Sequence, residues 1–249
     1  MMDRFFVDPG KIKDGQIRID DPDDIRHLTR SLRAAPGHPV QISDGSGSGV
    51  RYESEIVGAD SDALYLKITG VVEVLDEPKV KITLYQGIPK AEKMGTIIQK
   101  SVELGVSGIV PIFSSRTVVT DTGRMPNKMR RWRRISAEAA KQCDRGTIPF
   151  VFPAMQLYEA VDMITAADLA IFAYEEEKEY TIKRFLREDA PKNPGKVSII
   201  IGPEGGFAPE EAEMLKGAGL RPVSLGKLVL RTETAGPAAI AMAIYELEL

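Results

Sequence analysis

Two short segments carry the residue types best suited to chemistry. The first is Ile201-Gly202-Pro203-Glu204-Gly205-Gly206-Phe207, which follows an apolar, β-branched run at Val197–Ile201 and precedes Pro209-Glu210-Glu211. Proline in a first turn followed by acids is a helix start, so the segment reads as strand, glycine-rich turn, helix. Gly205 and Gly206 open backbone conformations closed to other residues and allow a ligand to come close. In α/β sheets such turns, at the carboxyl ends of strands, are where ligands sit. A phosphate loop needs Lys-Ser/Thr after its glycines, and a dinucleotide fingerprint needs Gly-x-Gly-x-x-Gly; this segment has neither, and Glu204 would repel phosphate. The residues leave two readings open, a plain tight turn or a site for a ligand with a neutral or cationic surface.

The second segment is Ser224-Leu225-Gly226-Lys227-Leu228-Val229-Leu230-Arg231-Thr232-Glu233-Thr234-Ala235. A strand ends near Gly226, and Thr232 or Thr234 is suited to cap the alanine-rich helix that follows. The apolar stretch Leu228–Leu230 is unusual for a loop, because loops face water. It is either buried or wrapped around an apolar ligand such as an adenine ring. Arg231 lies beside it, and Glu204 and Glu233 are carboxylates able to accept a proton or orient that arginine. Glu204 has the alternative of capping the helix region at Pro209, and Arg231 of pairing with a carboxylate for structure alone.

The elements that position these segments fall into two groups. Up to about residue 70 the chain reads as short strands, at Phe5–Val7, Gln16–Ile19, Val40–Ser43, Arg51–Val57 and Ala63–Ile68, broken by turns such as Asp44-Gly45-Ser46-Gly47. With one polar helix at Asp23–Arg33, they suggest a small β-barrel. Beyond Pro78, strands at Lys81–Gln86, Gly108–Ile112, Asp168–Ala173, Val197–Ile201 and Pro222–Leu225 alternate with helices at Glu92–Leu104, Asn127–Cys143, Pro209–Ala218 and Thr234–Leu247. That alternation predicts a parallel sheet covered on both faces. The expected division is a β-domain over residues 1–72 and an α/β domain over 73–249, joined near residues 70–78.

Bulk properties narrow the function. At 249 residues with 43% hydrophobic and 28% charged side chains, the chain reads as an ordinary globular protein. One cysteine, Cys143, allows no internal disulfide, and with two histidines a zinc site is not expected. No apolar run approaches the roughly 20 residues of a membrane span, and the start lacks a signal peptide's apolar core; a cytoplasmic protein without membrane or metal is the expectation. The net charge of −3 is not that of a nucleic-acid binder, but its distribution is uneven: nine Lys/Arg stand against three acids between Arg116 and Arg145. A basic patch on an acidic protein is a local electrostatic footprint, or a solvated helix face. At helical spacing Met129, Trp132, Ser136, Ala139, Ala140 and Cys143 form a core face, and Arg131, Glu138, Gln142 and Arg145 fall on another face.

These residues resemble a known family. IGPEGGF and SLGKLVLRTETA are similar to the signature segments of the SPOUT methyltransferases, most of all the branch that methylates N3 of a uridine in 16S (small-subunit) ribosomal RNA, the RsmE type. The resemblance runs the length of the chain. It includes MDRFFVD at the start, His27-Leu28…Leu32-Arg33, Lys90, Lys93, Gln99-Lys100, Glu103-Leu104-Gly105-Val106, and Glu138-Ala139-Ala140-Lys141-Gln142-Cys143-Asp144-Arg145, where Cys143 replaces the family's usual serine. What it implies is a trefoil-knotted α/β domain (SPOUT), a preceding PUA-like β-barrel that binds RNA, a homodimer, and S-adenosyl-L-methionine as methyl donor.

The resemblance also implies site residues. Phe172, Ala173 and Tyr174, then Ile201, Gly202, Pro203, Glu204, Gly205 and Gly206, then Ser224, Leu225, Gly226, Leu228, Val229, Leu230, Thr232 and Ala235 would hold the donor. Arg4, Arg30, Arg33, Lys90, Lys93, Arg116, Arg131, Gln142 and Arg145 are the RNA candidates, on 16S rRNA within the small subunit. N3 of uracil carries a proton, so its methylation needs proton removal or stabilisation of the resulting anion; Arg231, Glu204 and Glu233 are the catalytic candidates. The rival readings are another SPOUT enzyme acting on a ribose 2′-oxygen or on tRNA, and a non-catalytic RNA-binding ribosome-assembly factor.

Overall fold

The computed structural model describes residues 3–73, 77–117 and 123–248, and the chain separates into two compact units, 1–77 with 140–148, and 78–139 with 149–249. The first unit is a six-stranded mixed sheet built from β1 (Arg4–Phe6), β2 (Ile12–Lys13), β3 (Gln16–Ile19), β4 (Pro39–Ser43), β5 (Val50–Ala59) and β6 (Leu64–Glu73), in the order β1-β4-β5-β6-β3-β2. Only β1 and β4 run parallel; the other pairs are antiparallel. Phe5, Ile17, Ile19, Leu28, Val40, Ile42, Ile56 and Leu66 form its core. The single helix expected at Asp23–Arg33 is an α-turn, α1 (Pro22–Arg26), capped by the Asp21 carboxylate, which winds on into a wider π-turn at His27–Ser31. Part of the expected joint, residues 74–76, lies outside the described residues, as does Asp121 of the basic run.

The second unit is the parallel α/β sheet that the alternation predicted. Its elements are β7 (Lys81–Gly87), α2 (Lys93–Glu103), β8 (Gly108–Phe113), α3 (Met125–Gln142, whose last turn belongs to the first unit), β9 (Phe150–Val151), β10 (Met155–Gln156), α4 (Leu157–Thr165), β11 (Leu169–Ala173), α5 (Ile182–Arg184), β12 (Lys196–Ile201), α6 (Pro209–Gly217), β13 (Pro222–Val223) and α7 (Thr232–Glu248). The strand order is β10-β8-β7-β12-β11-β13, with β9 on β8, and every pairing is parallel. β12 is buried from Val197 to Ile201 because it lies in the middle of the sheet with both faces covered, which is why its sequence is a continuous apolar run rather than an alternating one. Ile199 stands in register with Leu84 of β7 and Ile171 of β11.

Helix α4 and the two-residue strands β9 and β10 are absent from the sequence reading. The nine residues of α4 are short for a pattern search, yet Leu157, Ala160 and Ile164 are its buried stripe and Glu159 accepts from the Gln156 backbone N–H at 2.8 Å, closing its first turn. Among the described residues no helix is long and apolar enough to cross a membrane, and no cluster of His, Cys, Asp and Glu could hold a metal ion.

Candidate active site

Three neighbouring strands, β12, β11 and β13, deliver their carboxyl-end loops to one cavity of about 440 Å³, within the range of small-molecule sites. Residues 173–175 follow β11, 201–206 follow β12 and 223–231 follow β13. The two sequence segments therefore meet because their strands flank β11, a strand remote from both in sequence. Every residue expected to hold a small molecule lines this cavity except Phe172. Phe172 is fully buried behind it, its ring against Tyr174 and Phe207; side chains alternate along a strand, so Ala173 faces the cavity and Phe172 the core. Glu175, Glu177, Lys178, Val223, Lys227 and Arg231 join the lining. Proximity to the end of β11 is the sequence signal that would have found Glu175 and Glu177.

The turn after β12 is locked by close approach. A Cβ on Gly87, at the end of β7, would stand 2.4 Å from the Pro203 nitrogen, so only glycine lets β7 pass the turn. Gly206 takes φ +66°, and a Cβ there would fall 1.6 Å from the Glu175 carboxylate. Below the turn runs a buried chain of hydrogen bonds that the sequence did not disclose. Gln86 Nε2 donates to Thr232 Oγ1 at 2.9 Å, and Thr232 Oγ1 donates to the Gly202 carbonyl at 2.7 Å. Thr232 thus ties the start of α7 to the turn instead of capping the helix. The cap is Arg231, whose carbonyl accepts from the Thr234 and Ala235 N–H groups at 2.8 Å.

The apolar loop behaves differently. Leu228 and Val229 are 80% and 78% exposed, so the chain does not bury them, and of the two readings of that loop the buried one is excluded.

Glu204 and Glu233 converge on Lys93, not on Arg231. Lys93 Nζ lies 3.2 Å from Glu204 Oε1 and 3.2 Å from Glu233 Oε2, and Glu204 also accepts from the Lys90 N–H at 3.1 Å. Burial opposes ionisation of Glu204, but hydrogen bonds from its own backbone, from Lys93 and from Lys90 outweigh it and hold the carboxyl below its ordinary value. The same contacts, with Glu204 first and Glu233 second, raise Lys93 above the ordinary lysine value. The expected cap of the Pro209 region by Glu204 is not made; Glu211 accepts from the Ala208 N–H there. Arg231 is exposed and makes no ion pair among the described residues.

The RNA candidates divide sharply. Arg30, Arg33, Lys90, Arg116, Arg131 and Gln142 are exposed. Of these, Arg116 donates to the Gly205 carbonyl at 2.8 Å and so also braces the turn, and Arg131 pairs with Glu92. Arg4 and Arg145 are corrections, because both are buried in the first unit. Arg145 is gripped by Glu77, Nη2 to Oε2 at 2.6 Å, while Arg4 reaches the Arg145 carbonyl at 3.3 Å and Asp144 at 3.0 Å. The helical stripe does not reach Arg145. α3 ends at Gln142, Asp144 turns to φ +67°, and Arg145 no longer lies on the helix face.

With this geometry in place, comparison with known proteins is informative. The RNA methyltransferase domain family matches residues 76–244. The chain is 29% identical over all of its length to ribosomal RNA small subunit methyltransferase E of Bacillus subtilis, covering 98% of that protein. It is 31% identical, over 91% of its length and 85% of the relative's, to the protein of that name in Mycobacterium bovis. Among solved structures it is similar to the ribosomal RNA small subunit methyltransferase E of Neisseria gonorrhoeae bound to S-adenosyl methionine, with 29% identity, a TM-score of 0.84 and 98% of both chains covered. Across both units and through the cavity-forming segments, the chain belongs to the ribosomal RNA small subunit methyltransferase E family of RNA methyltransferases.

Proposed function

We propose that the protein transfers a methyl group from S-adenosyl-L-methionine to N3 of a uridine in 16S ribosomal RNA. The observation that carries this reading is the cavity at the ends of β11, β12 and β13, assembled from the segments that mark the family. Its glycine turn sits close against Glu175 and Arg116 at the cavity edge, and its exposed apolar loop offers Leu228 and Val229 as a cover for a flat ring. Those features fit S-adenosyl-L-methionine, which when bound supplies an electrophilic methyl carbon on a sulfonium.

The protein's own task is then to hold the acceptor nitrogen in line and to manage its proton. Arg231, at the cavity rim with a guanidinium that makes no ion pair among the described residues, is placed to stabilise negative charge developing on a uracil oxygen. Glu204, held ionised by Lys93, is a poor proton acceptor; its role is to fix Lys93 between the turn and the start of α7. The exposed Arg30, Arg33, Lys90 and Arg131 supply RNA contacts, with the first unit as a PUA-like RNA-binding domain over residues 1–72. A trefoil knot over 73–249 is supported by the return of α7, after β13, to the middle of the sheet, where Gly236 meets Leu84 and Gln86. Exposed Leu228, Val229, Met242 and Tyr245 offer apolar surface to a second copy, consistent with a homodimer acting in the cytoplasm.

Mass spectrometry of nucleosides from small-subunit rRNA, from cells with and without the protein, tests the reaction. Loss of 3-methyluridine is expected; a missing ribose-methylated nucleoside instead would overturn N3 as the target. Arg231→Ala should keep donor binding in calorimetry and lose transfer of a tritiated methyl group, and unchanged turnover would remove Arg231 from the chemistry.

A further inference from the structure

We propose that Glu175 reads the ribose of the methyl donor, its carboxylate accepting hydrogen bonds from the two neighbouring hydroxyls. This rests on the donor reading above. Glu175 lies two residues past β11, the strand beside β12, and lines the cavity. Its carboxylate lies against the glycine turn, occupying the space a side chain at residue 206 would need.

Of the three acids that line the cavity, the other two are engaged. Glu204 is taken by Lys93 and the Lys90 N–H. Glu177 accepts from the Glu179 and Tyr180 N–H groups, each at 2.8 Å. Lys178 turns its ammonium to the Glu175 backbone carbonyl, leaving the carboxylate alone. Glu175 is half-buried, and its carboxylate has no hydrogen bond or ion pair among the described residues. A partly desolvated carboxylate without a partner is unfavourable, and a bound ligand with donors would relieve it.

The donor offers a ring amine, a vicinal diol and a cationic end. Two carboxylate oxygens match two adjacent hydroxyl donors, whereas a flat ring is better placed on the apolar loop. The topology agrees. The dinucleotide-binding α/β fold offers a parallel, since there an acidic residue past a strand beside the one bearing the glycine turn takes a ribose hydroxyl, although this chain lacks that fold's glycine fingerprint. The rival is a counter-charge to the sulfonium, which the donor has and its demethylated product lacks.

The test is calorimetry on the full chain, wild type, Glu175→Ala and Glu175→Gln, with S-adenosylmethionine, S-adenosylhomocysteine and the 2′-deoxy form of the latter. Wild type should bind the deoxy compound about tenfold or more weakly than its parent, the worth of a hydrogen bond to a charged group. Glu175→Ala should weaken the two ribose ligands equally and no longer distinguish parent from deoxy compound. Glu175→Gln, which keeps shape and one acceptor, should fall between. In turnover the KM for the donor should rise more than kcat falls. Two results would overturn the assignment: selective loss of S-adenosylmethionine, which marks the sulfonium, or undiminished discrimination against the deoxy compound in Glu175→Ala. If wild type bound none of the three, the donor reading would fail and take this assignment with it.

Discussion

The turn at 202–206 and the loop at 226–231 face the same cavity but are held by different means. The turn is fixed from every side: β7 passes it with only Gly87 as clearance, Thr232 anchors the Gly202 carbonyl, and Arg116 takes the Gly205 carbonyl. The loop has its ends secured, by the Ser224 hydroxyl at the Gly226 carbonyl and by Arg231 capping α7, while Leu228 and Val229 between them project into solvent. One wall is part of the core's own packing. The other is apolar surface left open to solvent. Substitutions in the turn should therefore cost stability and binding together, and substitutions in the loop should separate them.

The largest effect should come from Gly87→Ala. The new methyl meets backbone, which has nowhere to move, so we expect about 2–3 kcal/mol of destabilisation and loss of donor binding, read by thermal denaturation and calorimetry. A stable, binding-competent variant would show that the turn is not locked. Thr232→Val comes next. It keeps the shape but strips the Gly202 carbonyl and Gln86 of a buried partner, at about 1–3 kcal/mol. Donor affinity should fall with Tm, since the same bond sets the turn's position.

The turn and the residues that lock it differ in how far the sequence reveals them. The turn itself stood out because glycine and proline are local signals, and β12 because a buried parallel strand is uniformly apolar. Gly87 and Gln86 carry no local mark: their roles arise only where β7 lies beside β12, a pairing across more than a hundred residues. Arg145 failed for the opposite reason. Its spacing fits a helix face, but the helix stops three residues short and a half-buried carboxylate, Glu77, takes it. Charge patterning finds surfaces only as far as the element that presents them continues.

Lys93→Met probes the link between the two walls. Lys93 joins Glu204 of the turn to Glu233 of α7. The depressed Glu204 contributes stability that is present above the ordinary carboxylate value and is lost as pH falls through the lower folded one. The raised Lys93 contributes stability that is present below the ordinary lysine value and is lost as pH rises through the higher folded one. The clasp is thus complete between those ordinary values, and wild-type donor affinity should be flat from about pH 6 to about pH 9. The Lys93, Glu204 and Glu233 side chains are 34%, 21% and 29% exposed, so their pairing is only partly screened and Lys93→Met should lower Tm modestly. Turnover should fall by about tenfold to a hundredfold through misplacement of Glu204 and the start of α7, and the acid limb of the affinity profile should move to higher pH. A large loss of Tm with an unaltered pH profile would make the clasp structural.

The smallest effect on stability should come from the double substitution Leu228→Ser, Val229→Ser. Both side chains are already in water, so the unfolding free energy of the ligand-free protein should stay within about 0.5 kcal/mol of wild type, the opposite of Gly87→Ala. Donor affinity should nonetheless drop by about tenfold, because each apolar side chain covered by the ligand contributes on the order of 1 kcal/mol, and the stabilisation of Tm by added donor should shrink in step. If affinity stays whole while light scattering finds wild type dimeric and the variant monomeric, the loop's cover is a second copy rather than the ligand. If both fall together, donor and mate share the loop, and the cavity is completed only when the second copy closes over it.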